Sequence, residues 1–181
     1  MFPGFLNWSQ IKWNMKNFIA GLALILLIGC QENEPVRDDF TGNEVVFSLE
    51  AGSVYPISGN ATFKEKKDGN TLIMIELTGT EGNIQHPVHL HMGDIASPGA
   101  AVAALLNPVL GSSGKSETTF VMLADETPVS YSQLVDMNAC IKIHLAASGP
   151  DRDIILAGGN IGSAAGARKN GRMEFSVCKS E

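Results

Sequence analysis

The sequence predicts an all-β domain, a Greek-key β-sandwich or barrel with long loops and little helix. Three observations support this fold class. Short segments rich in β-branched and apolar residues recur from residue 45 onward, turn-forming residues separate them, and helical periodicity is almost missing. The sequence shows neither an internal repeat nor a second domain, so residues 45–181 are expected to form a single domain.

The predicted elements follow one another closely along the chain. Asp68-Gly69 is a favoured hairpin pair between two strands. Residues 100–106 (AAVAALL) fit either a short helix or a strand, and residues 130–137 fit one or two helical turns with a serine N-cap. The Gly/Ala-rich residues 158–171 are expected to form a long, mobile loop. The strand candidates are 45–51, 61–66, 71–77, 86–92, 115–123, 139–147, 153–158 and 172–179.

Residues 1–29 are predicted to be a signal peptide. Two lysines precede the apolar run FIAGLALILLIG, which is too short for a comfortable membrane span. The run leads into LIGC, residues 27–30, which resembles a bacterial lipobox. That resemblance implies lipidation of Cys30 and a lipid anchor in the membrane of a bacterial cell envelope; an uncleaved membrane anchor is the alternative. Residues 30–44 are then the lipidated cysteine and a polar, flexible tether.

The composition of the mature chain restricts its partners and its compartment. Removal of the signal takes two lysines and no acidic residue, which leaves 11 basic and 19 acidic residues and a net charge of −8. So acidic a domain repels phosphates, which argues against a nucleic-acid partner. Cys140 and Cys178 remain as an even pair in an exported protein and are predicted to form a disulfide; two buried thiols are the alternative.

Three of the four histidines lie in the stretch HPVHLHMG, and the fourth lies in ACIKIHLAA. Alternate side chains of a strand share a face. His89 and His91 therefore point away from the aliphatic residues around them, and His144 does the same on its own strand. All three imidazoles are expected on the outer, solvent side of the sheet, on neighbouring strands.

Three imidazoles in this arrangement predict a metal site. Residues i and i+2 of a strand are about 6.5–7 Å apart, which lets two imidazole nitrogens converge on one ion at about 2.0–2.1 Å. Copper and zinc suit such ligands, and three protein ligands leave an open coordination position. His86 has the wrong parity for this face; it is a candidate fourth ligand or a hydrogen-bond donor to a loop. The alternative is a set of exposed histidines with no ligand.

These residues resemble the chordin-type CHRD domain. Bacterial members carry an A-H-I-H-x-G strand, a short apolar segment after a Gly/Pro loop, a later N-V-H strand and then a glycine-containing strand. The counterparts are residues 88–93, 97–102, 141–144 and 154–162. The resemblance covers roughly residues 45–162. It implies a non-catalytic envelope lipoprotein domain that binds a metal ion or a partner.

The same residues are similar to copper–zinc superoxide dismutases, Greek-key barrels with copper on the barrel exterior. That family's H-V-H strand resembles residues 89–91, its later copper histidine resembles His144, and its L-A-C-G-V-I-G strand resembles residues 156–162. The resemblance implies copper at His89, His91 and His144. However, no histidine occurs between His91 and His144, so the family's bridging and zinc-loop histidines are missing.

Two further positions depart from the dismutase pattern. The disulfide cysteine of that pattern is replaced by Gly158. Ile155 stands where the dismutases have the arginine that guides the substrate, and Arg152 lies three residues earlier, so the loss of this cation is expected. Three functions therefore compete: a non-catalytic copper- or zinc-binding lipoprotein, which is favoured; a copper-dependent, superoxide dismutase-like oxidoreductase; and a structural β domain with no ligand. The sequence contains no readable Ser-His-Asp or Cys-His hydrolase pattern.

Overall fold

The structure, a computed structural model, describes residues 39–166 and 175–176. The signal peptide, Cys30 and most of the predicted tether lie outside these residues. The strands are β1 (Phe40–Ala51), β2 (Ser58–Lys66), β3 (Thr71–Thr78), β4 (Gln85–Met92), β5 (Val102–Leu110), β6 (Lys115–Phe120), β7 (Ala139–His144) and β8 (Ile155–Ile161). The helices are α1 (Tyr131–Val135) and α2 (Gly162–Gly166), and a 3₁₀ turn spans Pro150–Asp153. Within the described part of the chain, no helix is long and apolar enough to cross a membrane.

The strands close into an antiparallel barrel in the order β1-β2-β3-β6-β5-β4-β7-β8, and β8 pairs back with β1. After β3 the chain skips two positions to β4, then returns through β5 to β6, which pairs with β3. This path is a Greek-key connection. The prediction of an all-β Greek-key barrel with little helix is confirmed. The connection also brings β4 beside β7, the two strands that carry the histidines.

The apolar faces of the strands fill the barrel interior. Val88 and Leu90 of β4 pair with Ile143 and Ile141 of β7, and all four side chains are buried in one core cluster. The side-chain parity predicted for these two strands is therefore correct. The residues that alternate with these four lie on the outer face of the barrel.

Two local predictions are confirmed. The backbone amide of Lys66 donates to the carbonyl of Asn70 at 3.0 Å, and Gly69 adopts a φ of +86°, which closes the hairpin between β2 and β3. Helix α1 begins with a capping box in which Ser130 and Gln133 each bond the other's backbone amide. The ambiguous residues 100–106 contribute to a strand, β5.

The first strand begins five residues before the predicted domain boundary. Residues 40–44, expected in the tether, belong to β1. The side chains of Thr41 and Asn43 both donate to one carboxylate oxygen of Glu65 on β2, each at 2.7 Å. These polar contacts extend the β1–β2 pairing where the apolar pattern has already ended, so hydrophobic periodicity alone does not reveal it.

The part of the glycine-rich stretch that the structure describes, residues 158–166, is not a loop. Residues 158–161 complete β8, and Gly162–Gly166 forms α2; residues 167–171 lie outside the described residues. A Cβ on Gly159 would collide with the carbonyl oxygen of Ser48, and one on Gly158 would lie 2.7 Å from the carbonyl oxygen of Ile141. These glycines therefore allow close packing of the strands; their role is not loop flexibility.

Residues 175–176 cover the outer face of β7 and β8. The hydroxyl of Ser176 donates to the carbonyl of Ser97 at 2.7 Å, and the ammonium of Lys142 donates to the carbonyl of Ser176 at 2.7 Å. Every residue of β7 and β8 is buried. The strand predicted near the C-terminus lies largely outside the described residues, and these two residues are not in a strand.

Candidate metal centre

The pairing of β4 with β7 brings three histidines together. His89 lies opposite Lys142 and His91 opposite Cys140, and His144 lies at the end of β7. The ring centroids are 4.5 Å apart for His89 and His144, 5.8 Å for His89 and His91, and 6.5 Å for His91 and His144. One nitrogen from each ring lies within 4.8 Å of the other two.

This spacing fits a shared metal ion. Three nitrogens bound to one ion at about 2.0–2.1 Å are about 3.3–3.6 Å apart from one another. The nitrogens here lie within 4.8 Å of one another, so a pair at that limit must approach by about 1.2–1.5 Å to share an ion. Three of the four predicted ligands are thus placed to bind one ion.

Backbone carbonyls fix the tautomers of two of the three rings. His91 Nδ1 lies 3.0 Å from the carbonyl oxygen of Ala100, and His144 Nδ1 lies 2.7 Å from that of Arg152. Because a carbonyl oxygen only accepts, each Nδ1 must carry the hydrogen. In His91 and His144 the lone pair is therefore on Nε2, which is the usual tautomer of ligating histidines.

His89 differs from the other two. Its Nδ1 is buried and has no hydrogen-bond partner among the described residues. A buried polar atom without a partner costs free energy, and such atoms are rare in folded proteins. A metal ion would satisfy this nitrogen, so the orphaned atom is an independent indication of a ligand at this position.

Burial keeps the three imidazoles neutral. It lowers the pKa of His89 to about 4, with smaller contributions from His144 and His91. Burial is also the main cause that lowers the pKa of His91 and of His144, against the opposing effect of their bonds to backbone carbonyls. Neutral imidazole is the form that binds a metal, so the group is ready to ligate at neutral pH.

The expected position of the histidines is correct in direction and wrong in exposure. They lie on the outer face of the barrel, but His91 and His144 are only 0% and 3% exposed, and His89 is half-buried. The loop between β4 and β5 covers His91, because Ala100 of that loop bonds its ring. The alternative of fully exposed strand histidines is therefore wrong.

A cavity of about 420 Å³ opens beside the histidine group. His89 and His144 line it, with Arg152, Asp153 and small residues of the two flanking loops. His91 is not among its lining residues. An open coordination position would therefore face this cavity. The sequence predicts the loss of a cation near the histidines, but Arg152 lines the same cavity as His89 and His144.

His86 is not part of the group. It is 4% exposed, and its Nδ1 lies 3.1 Å from the carbonyl oxygen of Leu145. Its parity is that of Val88 and Leu90, so its side chain lies on the core side of β4. The hydrogen-bonding alternative for His86 fits the structure, and the ligand role does not.

Of the two cysteines in the predicted disulfide, the structure describes Cys140. Cys140 lies in β7 and is fully buried, directly opposite His91. Cys178 lies outside the described residues, so the bridge stays a prediction. Lys142 is completely buried, and its ammonium donates to the carbonyl of Ser176. No sequence pattern signals this burial, because the covering residues are more than 30 positions away.

Comparison of this chain with protein-family models, with curated proteins and with solved structures gives no match. The CHRD and superoxide dismutase resemblances therefore stay expectations that rest on the residues quoted for them. The geometry of the histidine group is the evidence on which a function is argued below.

The stability of the metal-free protein is expected to fall as the pH falls from about 6.5 toward about 4. The unfolded chain binds protons on these histidines near the ordinary pKa of about 6.5, whereas the pKa of His89 in the folded protein is about 4. In that window the unfolded state holds more protons, so acid favours unfolding. Urea unfolding measured between pH 7.5 and 4.5 tests this.

The matched control for this titration is His89→Asn, which removes the most strongly shifted imidazole. The variant should lose part of the pH dependence. A variant whose unfolding free energy keeps the full wild-type slope between these pH values would contradict the assignment.

Proposed function

We propose that this chain is a lipid-anchored protein of the bacterial cell envelope whose barrel binds one copper or zinc ion without catalysing a reaction. The ligands are His89, His91 and His144. The observation that carries the proposal is the state of their nitrogens. Two rings donate Nδ1–H to carbonyls, so their lone pair is on Nε2, and the third has a buried Nδ1 with no partner in the described part of the chain; one nitrogen of each ring lies within 4.8 Å of the others.

The donor set supports copper or zinc. Imidazole nitrogen suits both metals, whereas calcium and magnesium prefer oxygen ligands. Three protein ligands with space beside them are typical of sites that keep an open position. The cavity beside His89 and His144 supplies that space. The proposal takes its non-catalytic character from the resemblance to CHRD domains.

We expect the wild-type chain to bind about one copper or zinc ion, and His89→Asn or His144→Asn to weaken binding by at least about 100-fold. Each substitution removes one of three nitrogens that share the ion. Isothermal titration with Zn(II) and competition with a copper chelator measure the affinity. Elemental analysis of the purified protein gives the stoichiometry.

The matched control is His86→Gln, a change at the histidine of β4 that lies outside the group. Because His86 bonds Leu145 and lies apart from the group, this variant should keep wild-type affinity once folding is verified by circular dichroism. Equal losses in the His86 and His89 variants would contradict the proposed ligand set.

A copper-dependent, superoxide dismutase-like activity is the second candidate, and Arg152 is the observation that favours it. Arg152 lines the cavity beside His89 and His144, where its guanidinium would attract a small anion. Bound copper would supply one-electron exchange with superoxide. Asp153 lines the same cavity and opposes this attraction.

If the copper-loaded chain is a dismutase, Arg152→Gln should lower superoxide consumption several-fold and leave copper affinity within about threefold, because the side chain attracts the anion and does not ligate the ion. Stopped-flow decay of superoxide at low and high salt measures this. Consumption by the wild-type chain no faster than by the metal-free chain excludes the activity.

The lipid anchor rests on the order of residues before Cys30. A basic region, a short apolar run and a small residue precede this cysteine. The acyl chains would hold the barrel at a membrane, with the residues between Cys30 and β1 as the spacer. The anchor would leave the metal site itself in water.

Expression of the full chain in a bacterium with labelled fatty acid is expected to label the protein, and Cys30→Ser should abolish the label. Mass spectrometry should place the new N-terminus at Cys30. A wild-type precursor that retains residues 1–29 would show an uncleaved anchor instead.

A further inference from the structure

A buried lysine lies within the histidine group. Lys142 is 0% exposed and lies on the outer face of β7, opposite His89 and two residues before His144. Its ammonium donates to the carbonyl of Ser176 at 2.7 Å. A lysine is almost never fully buried unless an acidic group pairs with it.

No acidic side chain pairs with Lys142 in the described residues. The ion pairs there join the exposed or partly exposed pairs Lys64–Glu44, Lys66–Asp68 and Lys115–Glu76. The carbonyl of Ser176 satisfies one N–H of the ammonium but carries no net charge to cancel it. Within the described residues, the ammonium of Lys142 therefore has a neutral hydrogen-bond partner and no carboxylate partner.

The charge of Lys142 reaches the metal-binding group. Burial is the main cause that lowers the pKa of His91 and of His144, and the charge of Lys142 lowers both further. Arg152 and Asp153 also act on His144, but with opposite signs. Asp153 raises the pKa of His144 and Arg152 lowers it. For His91, no acidic side chain among the described residues opposes the effect of Lys142.

The ammonium is also held in place. The amide and hydroxyl of Ser176, the residue it bonds, contact the carbonyls of Ile95 and Ser97 at 3.3 and 2.7 Å. The ring of Phe175 lies over Gly158, where a Cβ would come within 3.0 Å of it. The covering segment thus fills the space left by a glycine and fixes the lysine beneath it.

We propose that Lys142 sets the ionic charge that the histidine site prefers, and that it favours the monovalent Cu(I) over the divalent Zn(II) and Cu(II). This inference rests on the proposed metal-binding function. Three neutral imidazoles bring no negative charge to the ion, so a fixed ammonium nearby repels each positive charge of the metal. The repulsion is twice as large for a divalent ion as for a monovalent one.

The magnitude is sufficient to decide selectivity. For two unit charges about 8 Å apart in an effective dielectric constant of about 20, Coulomb's law gives a penalty on the order of 30-fold in affinity for each unit of metal charge. Salt screens buried charges less than it screens surface charges. An ammonium at such a distance would shift the ratio of Cu(I) to Zn(II) affinity by a similar factor.

The test compares the full chain with Lys142→Met, Lys142→Gln and Lys142→Arg. Methionine preserves the length of the stem without a charge, glutamine keeps an N–H donor without a charge, and arginine keeps the charge. Affinities for Zn(II) and for Cu(I) are measured by chelator competition, after circular dichroism verifies folding. The copper reduction potential provides a second readout.

Both neutral variants should shift the affinity ratio about 30-fold toward Zn(II) and lower the copper reduction potential, and Lys142→Arg should keep the wild-type values. Metal binding with an unchanged ratio in the neutral variants overturns this inference alone. Failure of the wild-type chain to bind either ion overturns the proposed function and this inference with it. If the neutral variants do not fold, displacement of Zn(II) from the wild-type chain by equimolar Cu(I) supports the inference, and retention of Zn(II) overturns it.

Discussion

The antiparallel register between β4 and β7 is the constraint on which both the core and the histidine group depend. It pairs Leu90 with Ile141 and Val88 with Ile143 inside the barrel. Because side chains alternate, the same register places the histidines together outside. A slip of one residue on β7 would turn its isoleucines outward and His144 inward. Packing free energy in the core therefore maintains the geometry of the site.

The orientation of His91 depends on a loop as well as on its strand. The carbonyl that orients His91 belongs to the loop between β4 and β5, and that loop is held by Asn160 of β8. Asn160 accepts from the amide of Ile95 at 2.8 Å and donates to the carboxylate of Asp94 at 2.6 Å. The orientation of a ring on β4 thus depends on a side chain two strands away. Such second contacts fix the tautomers of ligating histidines.

The strand period was sufficient to predict the barrel class, the faces of β4 and β7 and the grouping of three of the four candidate histidines, because these follow from local alternation and one strand pairing. The burial of the site was not predictable in this way. The loop reaches Asn160 across 65 residues, and Ser176 reaches Ser97 across 79. Contacts so distant leave no periodic signal in the chain. The position of Arg152 escaped for the same reason, since the turn that carries it follows no strand register.

His86 and His89 differ in the hydrogen bonding of their Nδ1 atoms. Both lie on β4 and both are at least partly buried. The Nδ1 of His86, however, has a hydrogen-bond partner, the carbonyl oxygen of Leu145. Selection for stability alone would favour the same outcome at His89, because an unsatisfied buried nitrogen costs about 1–3 kcal/mol. That cost falls on the ring closest to His144 and next to the cavity. Among the described residues, the buried imidazole nitrogen without a partner thus lies where three rings meet, and this position supports the proposal that a metal ion binds there.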